Sequence, residues 1–139
     1  MQALRHILLI EDDQVDVMTV RRSLRDLGVE HQLDQVSDGE EALAFLRDPA
    51  RTRPCLILLD LNMPRMSGVE FLTLVKQDAA LKCIPVVVLT TSRMEADRHA
   101  SFAQYASGYM VKPVDYAQFV RTMQVIRDYW SSSERAPQS

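Results

Sequence analysis

Leu56-Ile57-Leu58-Leu59 is an unbroken apolar run that stops at an acid, Asp60. A strand with one wet face alternates apolar and polar residues. A run without alternation therefore predicts a strand covered on both faces. The same pattern occurs twice more: Ile7 to Ile10 ends in Glu11-Asp12-Asp13, and Ile84 to Leu89 ends in Thr90-Thr91-Ser92. Pro85 is tolerable because it stands at the start of its run. Between these runs the apolar spacing turns helical. Val17, Val20, Leu24 and Leu27 precede Gly28, a helix-stop residue. Ala42, Phe45 and Leu46 mark a helix over 39–47, followed by a polar, proline-bearing loop from Asp48 to Pro54. Ser67 can cap a third helix that carries Glu70 at its N3 position and buries Phe71, Leu72 and Val75. A fourth helix is expected around Glu95 to Tyr105. Asp115 can cap the last one, which should run to about Trp130 with Phe119, Met123, Ile126 and Trp130 as its core stripe. His31 to Val36 and Tyr109 to Val111 complete the strands.

Strand and helix thus alternate five times. Strands buried on both faces between helical layers, joined by right-handed crossovers, predict an α/β fold. Its centre should be a doubly wound, five-stranded parallel sheet of order 2-1-3-4-5 in a three-layer sandwich. The chain should form one domain over 1–130, and the polar segment 131–139, without an apolar anchor, should be a disordered tail. Aromatics are only 6% of the chain, so the core must rest on Leu, Val, Ile and Met. A net charge of -3, with basic and acidic residues interspersed, argues against a nucleic-acid surface. No apolar stretch approaches a membrane span and no signal peptide is visible, so a cytoplasmic location is expected. Cys55 and Cys83 each edge an apolar run and lack a CxxC partner, so both are expected to be reduced core residues. His6, His31 and His99 show no metal-ligand spacing.

In such a sheet the active crevice lies at the carboxyl ends of the strands, where strand order switches. The polar residues after each strand can be read directly: Glu11, Asp12 and Asp13, then Asp60, then Thr90, Thr91 and Ser92, then Lys112. Crowded carboxylates resist ionisation unless a cation joins them, and hard oxygen ligands suit Mg2+, with Mn2+ as the alternative. Asp12 and Asp60 are the expected direct ligands. Glu11 would act directly or through water, and the backbone carbonyl of Asn62 could add an oxygen. A carboxylate can attack phosphorus to form an acyl phosphate, and Asp60, after the central strand, is the expected nucleophile. Lys112 would set a positive charge opposite the metal, and Thr90 would donate its hydroxyl to a phosphoryl oxygen. The plainer reading is that acids at strand ends are helix caps, which suits Asp13 well. It suits the full set of two carboxyl-bearing tips, a hydroxyl and a Lys-Pro poorly.

The blocks ILLIEDD, LILLDLNMPRMSG, VVVLTTS and GYMVKP resemble the receiver domains of bacterial two-component response regulators, over residues 6 to about 130. That resemblance implies the flavodoxin-like form of the doubly wound fold. It implies that Glu11 and Asp12 are the acidic pair and Asp60 the phosphorylated residue. Thr90 would be the switch hydroxyl, Tyr109 the switch aromatic and Lys112 the invariant lysine. The Lys112-Pro113 bond is commonly cis in that family. Glu11 stands where many members have Asp. The EDDQVD start, the LTTS block and the Asp128-Tyr129-Trp130 ending resemble regulators associated with phytochrome kinases. A sensor histidine kinase, in that case a phytochrome, is the implied phosphoryl donor, and no output domain is expected.

Tyr116, Val120 and Tyr129 look surplus to the core stripe of the last helix. They predict a docking or homodimer face built from the fourth helix, the fifth strand and the last helix. Such a protein would take phosphoryl groups from small donors and lose them again, without turning over a substrate in the usual sense. Two alternatives remain at this point: a receiver-like binding module that works without phosphorylation, and a small-molecule phosphatase or phosphotransferase, against which there is no cap domain or separate substrate pocket. No GxGxxG or GxxxxGKS/T motif follows the first strand, which disfavours a nucleotide-binding domain.

Overall fold

The computed structural model describes residues 5–60, 66–90, 106–113 and 115–135. Within them run β1 (Arg5–Ile10), α1 (Gln14–Asp26), β2 (His31–Val36), α2 (Gly39–Arg47), β3 (Leu56–Leu59), α3 (Gly68–Gln77), β4 (Val86–Thr90), β5 (Gly108–Val111) and a C-terminal helix (Tyr116–Arg135). The five strands are parallel, in the order β2-β1-β3-β4-β5. That is the architecture expected from the apolar runs. The helix anticipated around Glu95 to Tyr105 lies outside the described residues, as do Asn62, Thr91 and Ser92.

The unbroken runs have a simple cause. Side chains alternate faces along a strand, and here both faces are covered. Leu8, Ile10, Ile57, Leu59, Val86 and Val88 pack on one side with Phe71, Leu72 and Val75 of α3 and Ala42, Leu43 and Leu46 of α2. Ile7, Leu9, Leu56, Leu58, Val87 and Leu89 pack on the other with Val17, Val20 and Leu24 of α1 and Phe119, Met123 and Ile126 of the C-terminal helix. Each such aliphatic side chain contributes about 1.5–3 kcal/mol on burial, so a polar residue on either face of β3 would be costly. The stripe predicted for the C-terminal helix is in place for Phe119, Met123 and Ile126.

Local chemistry ends the elements where sequence pattern says it should. The Asp13 side chain accepts from the N–H groups of Val15 and Asp16 and caps α1. Gly28 takes φ 72°, and the N–H groups of Gly28 and Val29 bond back to the carbonyls of Arg25 and Leu24, closing a Schellman motif. The Ser67 hydroxyl accepts from the Glu70 N–H at 3.2 Å and donates to the Glu70 carboxylate at 3.3 Å.

Three expectations need correction, and the isomer of the Lys112-Pro113 bond, which the sequence leaves open, can be read. β4 begins at Val86 rather than Ile84, because Pro85 has no N–H to give the ladder; its carbonyl still accepts from Ile57 at 3.0 Å. The C-terminal helix continues through Ser131 to Arg135 instead of giving way to a tail at Ser131. No breaker stands there before Pro137, and the residue preceding a proline is the usual limit of a helix. Cys83 is exposed rather than in the core, while Cys55 is half-buried. No cis peptide bond occurs among the described residues, so Lys112-Pro113 is trans, the form an X–Pro bond prefers by about 0.5–1 kcal/mol. Among the described residues no helix is long and apolar enough to cross a membrane.

Candidate phosphoryl-acceptor site

The sheet ladder itself brings the acids together. The N–H of Glu11 donates to the Val36 carbonyl at 3.0 Å, and the N–H of Asp60 donates to the Ile10 carbonyl at 3.1 Å. Each acid is thus the first residue past its strand yet still held by the neighbouring one. The Gln35 side-chain amide adds a bond to the Glu11 carbonyl at 2.7 Å. Because β1 and β3 are adjacent, Glu11 and Asp60 stand side by side at the carboxyl edge. Both are buried, at 2% and 9% exposure.

Lys112 arrives from the end of β5, across β4, and is itself 8% exposed. Its ammonium donates to Glu11 Oε1 and, at 2.9 Å, to Asp16 Oδ2. Asp60 Oδ2 lies 3.6 Å away, within ion-pair range but beyond a good hydrogen bond. The other Glu11 oxygen accepts a long bond from the Asp13 N–H at 3.4 Å.

Burial is the largest influence on Glu11 and pushes its carboxyl up, with the Asp60 charge adding to it. The hydrogen bond and charge of Lys112 pull the other way, and the outcome is about 7. Burial also works against the charged form of Lys112, but the bonds to Glu11 and Asp16 and the Glu11 and Asp60 charges outweigh it, so its ammonium is held above the ordinary lysine value. Three carboxylates share one ammonium, which leaves an excess of negative charge. That excess, made of hard oxygen donors, suits a small divalent cation. Among the described residues no three acidic, His or Cys side chains form a metal-holding group. Asp12 is exposed, and Asn62 lies outside the described residues.

The other expected site residues fall as follows. Thr90 ends β4, paired with Val111 of β5. Tyr109, opposite Val88, is half-buried against the core on the α2–α3 side. Tyr116 is not a surplus apolar residue. Its hydroxyl donates to Asp26 Oδ2 at 2.6 Å, and the Arg22 guanidinium lies 4.2 Å from its ring centroid, so it is tied to α1. Val120 is partly buried, whereas Tyr129 and Val125 are exposed. Asp16 was not foreseen. It sits in the first turn of α1, one helical turn beyond Asp12 and Asp13 and over the same edge of the sheet; that spacing was the available signal.

Fold and site together define a doubly wound α/β domain with a buried carboxylate–lysine centre at its carboxyl edge. The chain belongs to the response regulator receiver domain family, whose pattern matches residues 7–124. It is 38% identical over 135 residues to response regulator Rcp1 of Synechocystis sp. (strain ATCC 27184 / PCC 6803 / Kazusa), covering 94% of this chain and 92% of Rcp1. It is 35% identical over 134 residues to the probable methanogenesis regulatory protein FilR2 of Methanothrix harundinacea (strain 6Ac), covering 94% of this chain and 86% of FilR2. The crystal structure of the phosphorylated cyanobacterial phytochrome response regulator RcpA superposes with a TM-score of 0.89 at 37% identity, covering 98% of this chain and all of RcpA. Rcp1 in its Mn2+-bound form superposes with a TM-score of 0.85, covering 96% and 99% of the two chains.

Proposed function

We propose that Asp60 accepts a phosphoryl group from a sensor histidine kinase, a phytochrome among the candidates, and that the protein passes the change on as a cytoplasmic homodimer. The observation that carries this reading is the buried Asp60 carboxylate at the tip of the central strand, 3.6 Å from the Lys112 ammonium and beside Glu11. An Asp60 oxygen forms the new O–P bond as the P–N bond to the kinase histidine breaks, and the imidazole leaves and takes up a proton. Lys112 supplies a fixed positive charge to the phosphoryl oxygens. Glu11, Asp12 and Asp60, with the Asn62 carbonyl, would hold Mg2+, which supplies the charge neutralisation that the carboxylates lack.

Thr90, at the end of β4, is suited to follow the phosphoryl group, and Tyr109 on the neighbouring strand to follow Thr90. Phosphorylation then alters the face made by β5 and the C-terminal helix, which carries the partly buried Val120 and the exposed Tyr129 and would meet a partner or a second copy. The phytochrome assignment draws on Rcp1 and RcpA, and Mg2+ on the Mn2+-bound form of Rcp1. The test is to incubate the protein with a phosphorylated histidine kinase and reduce the product with borohydride. Homoserine at position 60, located by peptide mass spectrometry, is the expected result. Modification at any other residue, or none, overturns the reading.

A further inference from the structure

Three carboxylates surround the Lys112 ammonium: Glu11, Asp16 Oδ2 at 2.9 Å and Asp60 Oδ2 at 3.6 Å. An ammonium has only three N–H donors. A phosphoryl group on Asp60 would add close to two negative charges and three acceptor oxygens at the carboxylate the lysine already pairs with. It competes for the ammonium, so a present partner must give ground. Burial decides which. Glu11 is 2% exposed, and losing the lysine would strand its charge where water cannot replace it. The Asp16 side chain is 36% exposed, so water can take the lysine's place, and ion pairs at such exposure are weak. Asp16 is therefore the partner that yields. It is also built into the start of α1. Its N–H and that of Val15 bond to the Asp13 side chain at 3.3 and 2.9 Å, and the Val17 N–H bonds to the Asp13 carbonyl at 3.0 Å. Val15 and Met18, nearby on the helix, are 70% and 68% exposed. The other end of α1 is held separately, by the Tyr116 hydroxyl on Asp26 and the Arg22 guanidinium over the Tyr116 ring. Lys112 and Tyr116 thus fasten α1 at its two ends, and the Lys112 fastening is the one that meets the proposed acceptor.

We propose that phosphorylation of Asp60 draws the Lys112 ammonium off Asp16 and loosens the first turn of α1, making that turn a second reporter of the phosphorylated state beside the face of β5 and the C-terminal helix. This inference rests on Asp60 being the acceptor. The device is a two-way contest for one ammonium: the unphosphorylated protein keeps the Lys112–Asp16 tether, and the phosphorylated protein gives it up. The loosened turn carries the exposed Val15, so the change reaches the surface at α1 as well as at the opposite end of the sheet. A partly exposed ion pair shifts a local opening equilibrium by a factor of about three. The last turn, held by Tyr116, should not respond.

The test is NMR-detected amide hydrogen exchange on the full chain, with Mg2+ alone and with Mg2+ plus excess acetyl phosphate, the phosphoryl occupancy being read by intact mass in parallel samples. The reporting amides are Val15 and Val17 in the first turn, and Leu27, which donates to the Ser23 carbonyl at 3.0 Å, serves as the control at the far end. In the parent, phosphorylation should lower the protection of Val15 and Val17 about threefold and leave Leu27 unchanged. Mg2+ alone brings no anion to compete for the ammonium and should change neither. Asp16→Ala should show the lowered first-turn protection before phosphorylation, and phosphorylation should then add nothing. Alanine is the best helix former, so intrinsic propensity opposes the expected loosening. If Asp16 served only as a favourable first-turn acid, the variant would start lower yet still respond to phosphorylation, and that result overturns the proposal. So does an unchanged first turn in the phosphorylated parent, or a full loosening by Mg2+ alone. Should the variant take up too little phosphoryl group for the comparison, its unphosphorylated amides decide: protection equal to that of the unphosphorylated parent overturns the proposal. A parent that gains no phosphoryl group at Asp60 defeats the functional reading itself, a different result from a parent that is phosphorylated while its first turn stays as it was.

Discussion

Replacing Lys112 with methionine should make the stability of the metal-free protein sharply pH-dependent above neutrality. The substitution keeps an unbranched stem and removes the ammonium that touches Glu11 and Asp16 and approaches Asp60. Removing one partner of a buried ion pair typically costs about 3–5 kcal/mol, because the other charge is stranded. Asp16 is over a third exposed and adds little to that figure; the cost falls on Glu11 and Asp60. Glu11 can escape by taking a proton. Its carboxyl already sits at about 7 with the lysine present, and without the lysine it must rise further. For an acid raised in the folded state, the stabilising share is complete below its unfolded value and is lost as pH climbs through the folded value. In the parent that loss is finished near pH 7; in the variant it continues, at about 1.4 kcal/mol per pH unit. Lys112 of the parent stays charged across this window, since its own value is raised. The variant should therefore lose about 2 kcal/mol more relative to the parent at pH 8.5 than at pH 5.5. Urea melts at the two pH values, with EDTA and then with excess Mg2+, measure this directly. Added Mg2+ should recover most of the loss at pH 8.5. An equal deficit at both pH values would refute the reasoning, because it would mean that Glu11 does not titrate in this pocket.

Divalent-ion affinity of the unmodified protein should fall about tenfold per pH unit below pH 7 and level off above it, as the ion displaces the Glu11 proton; calorimetry at pH 5.5, 6.5 and 8 reads the slope. Phe71→Ala removes a fully buried ring between α3 and the sheet and should cost about 3–5 kcal/mol in a urea melt. Asp13→Ala removes the α1 cap and should cost about 1 kcal/mol while leaving the m-value unchanged; a loss above roughly 3 kcal/mol would mean Asp13 does more than cap.

How far the sequence carried the reading differs from element to element. β1, β3 and β4 were legible because a sheet covered on both faces forces every position to be apolar, and no other common arrangement makes Leu56 to Leu59 followed by Asp60 so natural. The convergence of Glu11, Asp60 and Lys112 followed from topology alone, since parallel strands end on one edge. The misses were non-local. Tyr116 looked like spare apolar surface because its partners, Arg22 and Asp26, lie on another helix some ninety residues away. Asp16 is marked in the sequence only by its spacing from Asp12 and Asp13, and Lys112, which it meets at 2.9 Å, lies 96 residues away. The polarity of Ser131 to Ser133 does not mark the end of the C-terminal helix, which runs to Arg135 because no breaker stands before Pro137.

The most direct measurement is intact mass after incubation with acetyl phosphate, with Mg2+ or with EDTA. The unmodified protein should gain one acid-labile phosphoryl group only when Mg2+ is present, and Asp60→Asn should gain none under either condition. Equal gain by the two proteins, or a gain that ignores Mg2+, would contradict the account.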